Sequence, residues 1–191
     1  VALAVGAHSA EETAATLVHE LTHLLNRRAL GPALPPWLDE GLAEDLARSK
    51  FDSEGRLLLG TFDGTVAASA DRVIYSAGRA ALLKVSQTLA AGREPDLARL
   101  TSLDWQSFVD SDTDALTYDR SFLCVRHLLD GYDAGSSESF RAFLAEIAVG
   151  GSAEAEALRQ RLGWSWADWD GRWAAFAAER AEGLAAGSDW D

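Results

Sequence analysis

Residues 16–44 read "TLVHELTHLLNRRALGPALPPWLDEGLAE", and this stretch holds two of the four histidines of the chain. His19 and His23 stand four residues apart, with Glu20 directly after the first. Positions four apart on an α-helix differ by about 40° and lie about 6 Å apart along the axis. Both histidines can therefore reach one zinc ion at about 2.0–2.1 Å, and Glu20, about 100° round the helix, can address a water on that ion.

Two histidines make an incomplete site, because a catalytic zinc usually has three protein ligands and one open position. The segment "PPWLDEGLAE" predicts a second helix on which Glu40 and Glu44, again four apart, share one face. Asp39 is the alternative to Glu40 as a metal ligand, and Asp45 is the alternative to Glu44 as the partner of a ligand. The other interpretation of Glu40 and Glu44 is that they lie on a solvated helix face. Gly41 lowers helix propensity, which indicates that another backbone or a ligand comes close there.

The first helix has an apolar stripe of its own. Leu17, Leu21, Leu24 and Leu25 recur at helical spacing, and Leu21 lies about 200° round the helix from His19. This periodicity predicts that the leucines pack into the core. The histidines are then expected to point away from the buried face, unlike ordinary core histidines.

The whole chain is mainly helical by pattern. Its 191 residues are 48% hydrophobic, enough for one core, so we expect a single domain over 1–191. Within it, 1–62 is expected to carry the metal site and 63–191 to form a helical part. The class is mainly α with a minor β component (α+β). The predicted elements are a strand at 1–7 and helices at about 10–28, 37–50, 72–91, 115–130, 137–149, 152–162 and 165–182.

Composition excludes some partners and leaves others open. A net charge of −13 argues against nucleic-acid and anionic-membrane binding, and no apolar run approaches the roughly 18 residues that span a bilayer. Cys124 is the only cysteine, so no intrachain disulfide and no cysteine-based zinc cluster is expected. The chain opens on Val1 and lacks Met, which suggests that the native start is missing. A secreted or cell-envelope location is slightly favoured over the cytoplasm, and the oligomeric state is open.

The order of these residues resembles a known family. His19-Glu20-x-x-His23, a spacer of sixteen residues and then Glu40 inside "WLDEGLAE" resembles the gluzincin metallopeptidases. The best-known members are thermolysin and the aminopeptidase N group, in which the second segment reads W-L-N-E-G-F-A. The stretch is most similar to small bacterial domains of the peptidase-MA type. The specific part of the resemblance covers residues 19–44.

The resemblance implies a zincin-like catalytic domain with one Zn²⁺ per chain. His19, His23 and Glu40 would be the zinc ligands, and Glu20 the general base and proton shuttle. Glu44 would orient the histidine of the first helix. The family fold packs the HExxH helix on the second ligand-bearing helix, with a helical C-terminal part. A sheet precedes the HExxH helix in the family, and here it is expected to be reduced.

The oxyanion of peptide hydrolysis also needs a donor. The segment "LTYDRSFLCVRHLLDG" resembles the Y-x-K-G segment of the aminopeptidases, which implies Tyr118, although Arg120 and Ser121 stand where Lys and Gly are usual. An aromatic packed at a helix start is an equally good interpretation of Tyr118. Tyr75 and His127 are rival donors, and the apolar neighbours of His127 favour a packed histidine.

Three functions follow in order of preference. The first is a zinc-dependent metallopeptidase, an enzyme that hydrolyses peptide bonds of a peptide or protein substrate with Glu20 as base. The second is a zinc-binding, non-catalytic binding or scaffold domain. The third is a metal-free helical interaction domain with an acidic surface.

Overall fold

The computed structural model describes residues 10–51, 57–58, 78–93, 95–111, 116–133 and 135–185. Most of these residues are helical. The helices are α1 (Ala10–Ala29), α2 (Pro36–Ala47), α3 (Gly78–Ala90), α4 (Leu97–Ser102), α5 (Trp105–Asp110), α6 (Leu116–Asp130), α7 (Ser136–Ala148), α8 (Ala155–Leu162) and α9 (Trp166–Ala185).

The mainly helical class is confirmed, whereas the predicted minor β component is not seen in the described residues beyond one pair of very short strands. Two strands of two residues each, β1 (Lys50–Phe51) and β2 (Leu57–Leu58), pair antiparallel with Lys50 opposite Leu58. The described residues contain no larger sheet. The strand predicted at 1–7 lies outside them, so the expectation of a sheet before α1 stays a prediction.

The prolines before α2 set where that helix begins. Pro35 is the N-cap in an extended conformation, and Pro36 occupies the first helical position, where its fixed φ suits the helix and its missing N–H is not needed. The helix ends at Ala47, three residues before the predicted end. Its C-cap is Arg48, whose backbone N–H donates to the carbonyl oxygen of Glu44 at 3.3 Å, and the N–H of Ser49 donates to that of Leu46 at 3.0 Å.

The sequence patterns missed two short helices, α4 and α5. Each has six residues, too few to show an apolar periodicity. The signal that was available is the cap. The side chain of Asp96 accepts a hydrogen bond from the N–H of Arg99 at 3.1 Å, and that of Asp104 accepts one from Ser107 at 2.7 Å.

Helix α6 lies at the centre of the core and packs against α2, α3, α7 and α9. Leu123, Cys124 and Val125 of α6 are fully buried, as are Trp37 and Leu38 of α2. Because α2 packs on α6, the part of α2 that carries Glu40 and Glu44 is anchored to the main core. No helix among the described residues is long and apolar enough to cross a membrane.

The leucine stripe of α1 lies on the opposite side from the one expected. Leu24 and Leu25 are 63% and 60% exposed, and Leu17 and Leu21 are about half exposed. His19, by contrast, is only 6% exposed. The prediction that the leucines pack inward and the histidines point away from the buried face was wrong. Helix α1 packs against α2 through its polar face, because that face finds hydrogen-bonding partners on α2.

Candidate metal centre

The interface between α1 and α2 is polar. On α1 the side chains of His19 and Asn26 are buried, and on α2 those of Glu40 and Glu44 are buried as well. Burial of such groups costs free energy unless each is hydrogen-bonded or paired. His19 pairs with Glu40 and Glu44, and Asn26 donates to Asp39, so the contact between the two helices includes residues that the sequence proposed as a metal site.

Three side-chain atoms converge on one point of this interface. The Nε2 atom of His23 lies 3.1 Å from Nε2 of His19, and Oε2 of Glu40 lies 3.3 Å from the first histidine's Nε2 and 3.6 Å from the second's. A tetrahedral zinc with ligands at about 2.0–2.1 Å has neighbouring ligand atoms about 3.3–3.4 Å apart. The three atoms therefore already have the spacing of three corners of a zinc tetrahedron. In the described part of the chain, His19, His23 and Glu40 form a group whose ligand atoms all lie within 4.8 Å of one another, close enough to hold one metal ion.

A carboxylate faces the far nitrogen of each histidine ring. Oε1 of Glu44 lies 3.2 Å from Nδ1 of His19, and Oδ2 of Asp39 lies 3.0 Å from Nδ1 of His23. Asp39 is itself held by the side-chain amide of Asn26, which donates to Oδ1 at 2.7 Å. When Nδ1 carries the ring proton, it donates a hydrogen bond to the carboxylate, and the lone pair of Nε2 can then bind a metal. Partners of this kind fix the tautomer and the orientation of metal-binding histidines.

The electrostatics of the site favour positive charge. Burial alone would lower the pKa of His19, but hydrogen bonds and charge interactions with Glu40 and Glu44 outweigh it and raise that pKa to about 9. The hydrogen bond that His23 donates to Asp39 raises the pKa of His23, against the effect of burial. Histidine binds a metal only in its neutral form, so a metal ion has to displace these protons. A divalent cation would replace their charge among the carboxylates.

The site is more open on one side. The His23 side chain is 23% exposed, compared with 7% for His19 and for Glu40. Glu20 follows His19 on α1 and its side chain is exposed. The donor set therefore combines three converging atoms with a more accessible side at His23. Such an arrangement leaves room for a fourth, exchangeable ligand.

Of the candidate oxyanion donors in the described part of the chain, one packs on an aromatic ring and the other is fully buried. The ring of Tyr118, at the start of α6, lies edge-on to Phe108 with ring centroids 5.1 Å apart. His127 is fully buried, with Nε2 3.2 Å from Oδ2 of Asp133 and its ring stacked on Trp164. Tyr75 falls outside the described residues. His127 is thus a packed histidine of the core, and the donor role of Tyr118 stays a prediction.

Sequence reasoning missed one residue of the site, Asp39, and one residue next to it, Arg48. Asp39 was considered only as a substitute ligand, although it precedes Glu40 and can face the same histidine from the other side. Arg48 was not considered. It follows Glu44 by four residues, a spacing at which an acid and a base on a helix pair, and it forms an ion pair with the Glu44 carboxylate.

Comparisons with known proteins give no match, since no family model, no curated protein and no solved structure matches the chain. The specific part of the resemblance to gluzincins is residues 19–44. The residues with metal-binding chemistry lie at the α1–α2 interface.

Proposed function

We propose that this chain is a zinc-dependent metallopeptidase of the gluzincin type. The observation that carries the proposal is the convergence of Nε2 of His19, Nε2 of His23 and Oε2 of Glu40 at separations of 3.1–3.6 Å. These are nitrogen and oxygen ligands that zinc prefers, at a spacing that a tetrahedral ion would accept without large rearrangement.

The residues of the chain would divide the work as follows. His19, His23 and Glu40 would hold the zinc, which when bound would polarise a peptide carbonyl and lower the pKa of a water ligand to about 7. Glu44 and Asp39 hold the two rings in place. Glu20 takes the proton of the attacking water and delivers it to the nitrogen of the leaving amine.

The first test is metal analysis followed by a peptide-library digest. Purified protein is expected to hold about one zinc per chain. It should cleave peptides without a chelator and lose this activity when zinc is removed. Glu20→Gln should keep zinc but lose cleavage, by about a hundredfold or more. Glu138→Gln, a change of an exposed glutamate on α7, is the matched control and should cleave like wild type. A Glu20→Gln variant as active as wild type would overturn the mechanism.

A second candidate function is a zinc-binding domain without catalysis. It is favoured by one observation: α1 packs on α2 through the ligand residues, so an ion held there would link the two helices and stabilise their packing. Glu20 favours the enzyme, because a purely structural site needs no base beside its ligands. Wild-type protein that binds zinc and gains thermal stability, yet cleaves no member of the library, would support the second candidate over the first.

A further inference from the structure

Arg48 contacts Glu44, the residue whose carboxylate faces Nδ1 of His19. Its Nη1 atom contacts Oε2 of Glu44 and also donates to the backbone carbonyl oxygen of Glu44 at 2.9 Å. The other carboxylate oxygen of Glu44 faces His19 Nδ1 at 3.2 Å. The arginine therefore contacts one carboxylate oxygen and the backbone carbonyl of Glu44, while the other carboxylate oxygen faces the histidine.

The arginine is in turn held by the core. Nη2 of Arg48 lies 3.8 Å from Oδ1 of Asp119 on α6, and Nζ of Lys84 on α3 lies 3.4 Å from Oδ2 of the same aspartate. The guanidinium also stacks over the ring of Phe122, with Cζ 4.2 Å from the centroid. The side chains of Arg48, Glu44 and Asp119 are at most 7% exposed. A buried series of charged groups thus joins His19 of α1 to Asp119 of α6, and the partly exposed Lys84 of α3 pairs with the same aspartate.

We propose that Arg48, held by Asp119, is a positioning residue that increases the affinity of the site for zinc by way of the ligand His19. The proposal rests on the metal centre proposed above and assigns roles to two residues that lie outside it. Arg48 would act through Glu44, by keeping that carboxylate in the orientation that holds the His19 ring with Nε2 toward the ion.

The shape of the guanidinium is what the role requires. Its planar fork can address Glu44 with one nitrogen and Asp119 with another while its face lies on Phe122. A lysine at this position keeps the charge but offers a single nitrogen, which cannot hold both carboxylates in these places. Arg48→Lys therefore separates the orienting role from the mere presence of a positive charge.

The chain offers a matched control at the same interface. Arg126 of α6 pairs with Asp45 of α2 at 3.3 Å, and these side chains are 10% and 3% exposed. Like the pair of Arg48 and Asp119, this ion pair joins α2 to α6 and is buried, but its arginine also pairs with Asp130 of α6, whereas Arg48 pairs with Glu44. Arg126→Gln therefore reproduces the loss of a buried α2–α6 ion pair without disturbing the partner of a zinc ligand.

The experiment measures the zinc dissociation constant by competition with a chromophoric chelator, for wild type, Arg48→Gln, Arg48→Lys, Asp119→Asn and Arg126→Gln. Circular dichroism checks that each variant is folded. Removing a hydrogen-bonding partner of a ligand usually costs about 10–100-fold in metal affinity. Because Arg48 acts one step further out, we expect Arg48→Gln to weaken zinc binding about tenfold, with smaller losses in Arg48→Lys and Asp119→Asn. Arg126→Gln should bind zinc like wild type.

A double-mutant cycle tests whether Arg48 acts through Glu44. Glu44→Gln alone should weaken zinc binding, and adding Arg48→Gln should then change the affinity by less than about twofold. The absorption bands of the Co²⁺-loaded protein, which report ligand geometry, should shift in Arg48→Lys and stay unchanged in Arg126→Gln. The proposal is overturned if Arg48→Gln and Arg126→Gln weaken zinc binding equally, or if the two changes in the cycle are additive. Failure of wild type to bind zinc would instead refute the metal centre itself.

Discussion

Nδ1 of His23 lies 3.0 Å from Oδ2 of Asp39, the residue that directly precedes Glu40. Two neighbouring residues of α2 thus face one ring from its two ends, since Oε2 of Glu40 lies 3.6 Å from Nε2 of the same histidine. Both carboxylates belong to one rigid helix. The ring of His23 is therefore oriented by α2 as a unit, as the ring of His19 is by Glu40 and Glu44.

Removal of the Asp39 carboxylate should weaken metal binding. Asp39→Ala leaves His23 Nδ1 and the amide of Asn26 without their shared partner, so zinc affinity should fall about 10–100-fold. The measurement is a chelator competition on folded protein. Glu138→Ala, which removes an exposed carboxylate far along the chain on α7, should leave the affinity unchanged. Equal affinities of Asp39→Ala and wild type would show that this contact does not orient a ligand.

The place where α2 crosses α6 should not tolerate a side chain at Gly41. An added Cβ there would lie 2.6 Å from Cγ2 of Val125 and 2.7 Å from the carbonyl oxygen of Ser121. Gly41→Ala should therefore lower the free energy of unfolding by about 1–3 kcal/mol, measured in urea.

Gly171 is the matched control, because it lies within α9 and an added Cβ there meets nothing within 4 Å. Gly171→Ala should raise the free energy of unfolding by about 0.5–1 kcal/mol through helix propensity. A Gly41→Ala variant as stable as Gly171→Ala would contradict the close approach of α2 and α6.

Asp45 should make the protein less stable as the pH rises. Burial is the main cause that raises the pKa of its carboxyl from 3.8 to about 6; the nearby Asp130 adds to it and Arg126 only partly opposes it. The folded chain therefore binds this proton more tightly than the unfolded chain. The resulting loss of stability is absent below about pH 4, grows between pH 4 and 6, and is complete above pH 6.

Asp45→Asn removes this titration. The free energy of unfolding of Asp45→Asn minus that of wild type should therefore increase by about 2–3 kcal/mol between pH 4 and pH 7, because only wild type loses stability over this range. Urea unfolding of both proteins in a zinc chelator at several pH values measures the difference. A difference that stays constant across this range would show that the carboxyl of Asp45 titrates normally.

The exposed leucines of α1 should contribute little to stability. Leu24 is 63% exposed, so Leu24→Ala should change the free energy of unfolding by less than about 0.5 kcal/mol. Leu38 of α2 is fully buried, and Leu38→Ala should cost about 2–5 kcal/mol. Urea unfolding compares the two. A cost above about 2 kcal/mol for Leu24→Ala would show that this side chain is covered in solution.

Local patterns predicted the elements that carry the site. The break at the prolines separates α1 from α2, and the helical spacing of four residues places His19 beside His23 and Glu40 beside Glu44. These are consequences of helix geometry within a few residues of chain. Asp96 and Asp104 cap the two short helices, and such N-cap residues are a local signal in the sequence from which these helices could have been predicted.

The same patterns could not predict which face of α1 is buried. An apolar stripe normally marks the buried face, and here the stripe of leucines is exposed while the histidines meet α2. The outcome depends on partners supplied by another helix. Hydrogen bonds and ion pairs with Asp39, Glu40 and Glu44 offset the cost of burying polar groups. These partners lie on α2, so the residue spacing along α1 does not predict which face of α1 is buried.

By itself, then, the sequence determined which residues could bind one ion, because their spacing is a property of single helices. Only the tertiary structure decided that Nε2 of each histidine faces Glu40 while Nδ1 faces a second carboxylate. It also decided that Arg48 meets Asp119, a residue 71 positions further along the chain. Such contacts arise when α2 packs on α6, and burial then makes each pairing necessary, since an unpaired charge in the core is costly.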